Sequence, residues 1–144
     1  LLVDKREQTL TVFEEGKRLG TIQISTGLTT EKKLIRETAA GSFLTQEHMQ
    51  DFSMNGFVYQ YVIRYDGGNL LHSIAYEPAK GLKNYTRQTS TLGQKASHAC
   101  IRIQQLPGEG GLNAYWIWTH IPVSTRVIVL DDAEQSCENT ANGV

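Results

Sequence analysis

The sequence predicts a mainly β domain, a sandwich or barrel with one short packed helix near its C-terminal end. Three observations carry this expectation. Apolar and polar residues alternate with period two over short runs rich in β-branched and aromatic side chains. Turn formers separate those runs. A helical period occurs once, where Ala114, Ile117, Trp118 and Ile121 fall at i, i+3, i+4 and i+7.

Taken in order, Thr9–Phe13 and Thr21–Ser25 form a hairpin, with Glu14-Glu15-Gly16-Lys17 as its turn and Gly where positive φ is needed. A polar stretch after Gly27 leads to Thr38-Ala39-Ala40-Gly41-Ser42-Phe43. An aromatic strand is expected over Phe57–Tyr65, ended by Gly67-Gly68, and Asn69–Ile74 returns antiparallel to it. The late helix takes Asn113 as N-cap and stops at Pro122. Thr125–Leu130 is a final buried strand, and Asp131–Val144 is polar and expected to fray. No internal repeat or linker divides the chain, so one domain is expected over 1–132 with a polar tail over 133–144.

Composition narrows the function classes. At 144 residues with 40% hydrophobic and 20% charged residues, the chain is too apolar for intrinsic disorder and long enough to bury a core without staples. Its formal charge of -1 gives no general attraction for nucleic acid or anionic lipid, so no nucleic-acid partner is expected. Two cysteines and no CxxC pair exclude a four-cysteine zinc site and a thioredoxin-like motif. The longest apolar runs, such as Val127–Leu130, are far short of a membrane span. The chain begins at Leu1 without Met, which reads as a processed or trimmed fragment and leaves the question of export open.

Chemistry concentrates in Ser97-His98-Ala99-Cys100-Ile101-Arg102. A thiol attacks only as thiolate, and imidazole or guanidinium nearby lowers its pKa, so a Cys between His98 and Arg102 is expected to be reactive. If 98–102 is extended, His98, Cys100 and Arg102 share one face while Ile101 faces the core. His72 ends another strand. A base from one strand and a thiol from another is the spatial plan of a Cys–His enzyme. The same residues leave other readings open: an inert thiol, a zinc site on His72, His98 and Cys100, or a Cys100–Cys137 disulfide capping the nucleophile. Cys137 otherwise reads as an uninvolved free thiol in the tail.

With His72-Ser73 upstream, this segment resembles the signature of the L,D-transpeptidase catalytic domain (the YkuD-like family), which reads S/T-H-G-C, a hydrophobic residue, then N or R. The likeness extends to Val3-Asp4, Gln8-Thr9-Leu10 and Phe13 in the opening hairpin, and to Ser25-Thr26-Gly27 at its end. It includes Thr38–Phe43 as a T-P-x-G-x-F turn and Asn113-Ala114-Tyr115-Trp116 through Pro122 and Val127, covering roughly 1–132. The resemblance implies a YkuD-like β-sandwich with the thiol at one end, one helix after the cysteine and an extended flap before it.

It also implies acyl transfer on peptidoglycan stem peptides through a thioester on Cys100, with a neighbouring stem amine as acceptor. Water as acceptor would make a carboxypeptidase, and loss of turnover a wall-binding module. By position, His72 is the implied general base and acid, and the Ser73 carbonyl orients its ring. Backbone N–H groups around Ala99 and Cys100, with His98, form the implied oxyanion hole, and Arg102 holds a substrate carboxylate. Ser97, Ala99 and Tyr76 are expected beside the substrate. No cofactor or metal is implied, carbapenem β-lactams are expected as covalent inhibitors of a monomer, and the implied address is the cell envelope outside the cytoplasm.

Three departures stand out. Ala99 occupies the family's Gly position, a substitution costing about 1–2 kcal/mol if the turn needs φ > 0. Ala39 stands where the family favours Pro. The segment 73–96 is longer than the family's usual gap, which suggests an inserted lid. Residues 77–95 carry Lys80, Lys83, Arg87 and Lys95 against Glu77, a local balance of +3 suited to carboxylate-bearing stems. Tyr76 and Tyr85 lie on that lid, and Tyr59, Tyr61, Trp116 and Trp118 are expected to pack the core or line its mouth, with Tyr59 and Tyr61 on one strand face where a platform for peptide is the alternative. His48 and His120 are expected to be peripheral.

Overall fold

A computed structural model describes residues 1–28 and 37–131. The expected polar tail, and Cys137 with any pairing to Cys100, lie outside the described residues.

Three strands open the chain: β1 (Leu2–Asp4), β2 (Thr9–Glu14) and β3 (Lys17–Ser25). The β2–β3 turn places Glu15 at φ 51° and Gly16 at φ 78°. Two successive left-handed residues make the hairpin turn whose twist matches that of the strands. A Cβ on Gly16 would meet nothing within 4 Å, so the backbone angle alone favours glycine there.

Next come β4 (Gly41–Leu44), β5 (His48–Met49), β6 (Phe52–Met54), β7 (Phe57–Tyr59), β8 (Val62–Arg64), β9 (Leu70–Ser73), β10 (Glu77–Ala79) and β11 (Leu82–Asn84). A single helical turn α1 (Thr86–Thr89), β12 (Ile101–Ile103), helix α2 (Ala114–His120) and β13 (Arg126–Leu130) complete the order. Nine strands form one curled sheet in the order β4-β13-β1-β2-β3-β12-β9-β8-β5. The β6–β7 and β10–β11 pairs stand apart as separate hairpins. Most neighbours are antiparallel, but β1 pairs β13 and β12 pairs β9 in parallel.

The core is the inward face of this sheet closed by α2. Val3, Leu10, Val12, Ile22, Ile24, Ile63, Leu71, Ile101, Ile103, Val127 and Val129 meet Ala114 and Ile117 of the helix. Asn113 caps α2 as expected, its side-chain oxygen accepting from the Trp116 N–H at 2.8 Å.

Two local expectations are corrected. The aromatic run Phe57–Tyr65 is two strands, because Tyr61 adopts φ 57° and breaks the ladder between β7 and β8. An interruption there re-aims side chains: Tyr59 packs on His72 and Phe52, whereas Tyr61 packs on Tyr115 and Trp118. The two tyrosines form no common platform. In addition, a second helical turn, α1, precedes the cysteine. It has no side-chain cap, and its buried Gln88 accepts the Ala75 N–H at 2.7 Å, tying the turn to the chain leaving β9.

Candidate active site

The parallel pairing of β9 with β12 assembles the chemistry. Its register sets Arg102 opposite His72 and Ile101 opposite Leu71. Side chains paired across a ladder share a face, so His72 and Arg102 lie together while Ile101 and Leu71 go to the core, both 0% exposed. Cys100 precedes β12 by one position and falls on the His72 side.

Cys100, His72, His98, Ser97 and Arg102 line one cavity of about 340 Å³. Residues 98–100 are not extended: Ala99 takes φ 87°, and β12 begins at Ile101. The Ser97 hydroxyl donates to the Cys100 carbonyl, closing the turn that presents the thiol. Ser97 is buried, His98 is exposed and Cys100 is half-buried, so the sulfur sits at the wall of the cavity rather than inside the apolar core.

Ala99 therefore holds the left-handed conformation that the sequence comparison anticipated as a cost. Ala99→Gly is expected to stabilise the fold by roughly 1 kcal/mol, since strain relief exceeds the extra freedom glycine gains on unfolding. Urea unfolding checks this; a lower midpoint would contradict it.

His72 is buried, and its Nδ1 donates to the Ser73 carbonyl at 2.6 Å. That bond fixes the neutral tautomer with Nε2 unprotonated, the form able to accept a proton. The imidazole pKa is lowered to about 4, chiefly by burial and in smaller part by the Arg102 charge, against the opposing Ser73 bond. For Cys100 the outcome reverses the sequence expectation. Burial raises the thiol pKa and outweighs both a hydrogen bond with the Leu70 backbone and the charge of Arg102. The resting pair is consequently neutral thiol beside neutral imidazole.

The cavity walls also differ from expectation. One wall is the β6–β7 hairpin, contributing Phe52, Met54, Phe57 and Tyr59. Its turn, Asn55 at φ 53° and Gly56 at φ 82°, is the strongest short hairpin signal a sequence carries, hidden when Phe57 is taken as the start of one long strand. The other wall is Arg87, Gln88 and Thr91 from α1 and the turn after it. Of the four lid cations only Arg87 reaches the cavity lining, beside Glu77 at 3.3 Å and over the Phe57 ring. Tyr76, expected beside substrate, lies outside that lining, with its ring against Tyr85 and beneath Lys83. The lid is bonded to the sheet, with Gly93 N–H donating to the Ile24 carbonyl and Ser25 to the Thr91 carbonyl. Among the described residues no group of three or more His, Cys, Asp or Glu is placed to hold a metal ion.

Comparison with known proteins agrees with this architecture. YciB of Bacillus subtilis (strain 168), which bears the name of an L,D-transpeptidase, is 28% identical over 132 residues, spanning 88% of this chain and 63% of that protein. An L,D-transpeptidase from Mycobacterium smegmatis superposes with a TM-score of 0.65 at 20% identity, covering 90% of this chain and 57% of the other. The L,D-transpeptidase LdtMt1, solved in complex with imipenem, gives 0.65 at 21% identity, with 90% and 57% covered. The chain thus spans less than two thirds of the length of these relatives. At such identities the solved structures speak for the fold, and the family is settled by the sequence match. The L,D-transpeptidase catalytic domain (YkuD) pattern matches residues 1–129, and the chain belongs to that family.

Proposed function

We propose that the chain is a cysteine acyltransferase that crosslinks peptidoglycan stem peptides through a thioester on Cys100. The observation that carries this reading is the convergence of Cys100, the Nε2-basic His72 and the cationic Arg102 on one cavity, delivered by adjacent parallel strands.

In the proposed reaction Cys100 Sγ attacks the carbonyl carbon of the third stem residue while His72 Nε2 takes the thiol proton. The new C–S bond leaves an oxyanion that backbone N–H groups at Ala99 and Cys100, aided by His98, stabilise. Collapse breaks the amide, and imidazolium returns the proton to the leaving amine of the terminal D-residue. An amine from a second stem then attacks the thioester and gives its proton to His72. The crosslink forms, and the Cys100 thiol is regenerated on receiving that proton. Water in place of the amine gives carboxypeptidase activity from the same intermediate.

Neutral resting partners shape the mechanism. Because burial disfavours both thiolate and imidazolium, proton transfer accompanies attack rather than preceding it. Arg102, itself partly desolvated, offers its charge to a carboxylate of the donor stem. The same proposal has the domain working outside the cytoplasm, in the cell envelope, where stem peptides are crosslinked.

Incubation with tetrapeptide-stem muropeptides, followed by mass spectrometry, tests the proposal. Release of the terminal D-residue with dimer formation is expected, and both should vanish in Cys100→Ala. Saturable binding without release would instead identify a wall-binding module.

A further inference from the structure

Bonded to the nucleophile turn, and outside the cavity lining, lies a polar chain that the reaction scheme above leaves unused. Thr38 is 0% exposed, and its hydroxyl donates to the Ala99 carbonyl at 2.8 Å while accepting the Gly27 N–H at 2.8 Å. Lys5, 2% exposed, donates to the Thr38 carbonyl at 2.7 Å and is ion-paired with Glu37. The side chain of Gln8 holds the Lys5 carbonyl at 2.6 Å and bonds Thr26 through both its amide nitrogen and oxygen. The segment that follows β3, Thr26 to Leu28, is in turn bonded to the nucleophile segment: Ser97 N–H donates to the Thr26 carbonyl, and Leu28 N–H to the Ser97 carbonyl. Burying a lysine is costly unless it is well paired, and here the partners of Lys5 are the Thr38 carbonyl and the partly exposed Glu37, which anchor the backbone that carries the Thr38 hydroxyl.

That hydroxyl grips the peptide on which the oxyanion hole depends. The Ala99–Cys100 peptide is trans and planar, so its carbonyl and the Cys100 N–H point in opposite directions. Fixing the carbonyl on Thr38 fixes the amide pointing away from Thr38. Turning this peptide about ψ of Ala99 and φ of Cys100 would break the bond to Thr38. The bonds also run head to tail, from Gly27 N–H through the Thr38 hydroxyl to the Ala99 carbonyl, and such chains polarise their last donor.

We propose that Thr38, held by Lys5 and Gly27, is a positioning residue that aims and polarises the Cys100 amide for the oxyanion of acyl transfer. The inference rests on the acyl-transfer reading of Cys100, and its test separates the two. Removing an oxyanion donor outright costs about 10²–10³ in kcat, so misaiming one is expected to cost about 10–100-fold.

The experiment compares two reactions of the same thiol. Acylation by nitrophenyl acetate passes through an oxyanion; alkylation by iodoacetamide does not. Thr38→Val removes the hydroxyl at nearly constant shape, and Thr38→Ser keeps it. In Thr38→Val, acylation is expected to slow about 10–100-fold while alkylation stays within about twofold of the unaltered chain; Thr38→Ser should acylate within about threefold of it. With muropeptide the loss should appear in kcat and leave KM nearly unchanged. If Thr38→Val does not fold, Thr38→Ala is read in the same way. Equal acylation of the hydroxyl-less variant and the unaltered chain overturns the inference alone, as does a parallel fall in alkylation, which would mark a structural role. Failure of the unaltered chain to acylate at Cys100 overturns the acyl-transfer reading and the inference with it.

Discussion

Exchanging His72 for Gln is expected to lower kcat about 10²–10⁴-fold, the usual worth of a positioned general base, with a smaller effect on KM. The neutral resting pair sharpens the expectation. Were Cys100 already a thiolate, loss of the imidazole would mainly affect later protonation of the leaving amine. Burial instead raises the thiol pKa above its ordinary value, so at neutral pH the proton must be removed during attack. In the unaltered chain the rate should be nearly flat from pH 6 to 8, because an imidazole titrating at about 4 stays basic throughout. In His72→Gln it should climb about tenfold per pH unit as hydroxide takes over. A flat profile in the variant would contradict His72 as base.

The same residue makes stability depend on pH. The folded imidazole titrates at about 4 against an ordinary 6.5. Between those values the unfolded chain binds the extra proton, so the contribution is complete above pH 6.5 and is lost as pH falls toward 4. For a shift of this size the loss is about 3 kcal/mol. His72→Gln should abolish this part of the acid sensitivity. Urea midpoints at pH 7 and pH 4.5 measure it in both proteins; identical slopes would contradict the assignment.

The second large effect concerns inhibition. A carbapenem is expected to add one equivalent of its mass to the chain, on the peptide carrying Cys100, with no adduct on Cys100→Ala. The chemistry is the donor step with a strained lactam in place of the stem amide: the C–N bond opens, the acyl carbon bonds to sulfur, and the nitrogen receives the proton from His72. Arg102 shares the cavity and lies in register with His72, placed for the drug's carboxylate. Intact-mass spectra read this as all or none. An unmodified Cys100 after prolonged exposure would mean that the turn at Ala99 cannot form a working oxyanion hole.

What was legible in the sequence was local. Glu15-Gly16 and Gly67-Gly68 mark real turns, Asn113 and the 114–121 period mark a real helix, and alternation around Ile101 assigns the core face correctly. The pattern Ser97–Arg102 with His72 names residues that the fold gathers round one cavity, because they lie on a short segment and on the strand beside it. What escaped depends on distant contacts. Tyr61 turns left-handed to satisfy packing on Tyr115 and Trp118, so a run that looks like one strand is two. The lid reads as a basic flap, yet its cations are divided by the folding of β10–β11 away from the cavity, and Arg87 alone lines it among them. The thiol's pKa follows burial rather than the cations flanking it in sequence, because desolvation outweighs one guanidinium at that depth. Thr38 looks like an ordinary turn residue; its bond to Ala99, 61 positions away, exists only in the fold.

Acid quenching during turnover of a tetrapeptide stem, followed by mass mapping of the trapped protein, tests the account most directly. The expected species is a stem lacking its terminal D-residue, bonded through a hydroxylamine-labile thioester to Cys100. D-residue release with Cys100 unmodified at every time point, or an acyl group carried by a different side chain, would contradict it.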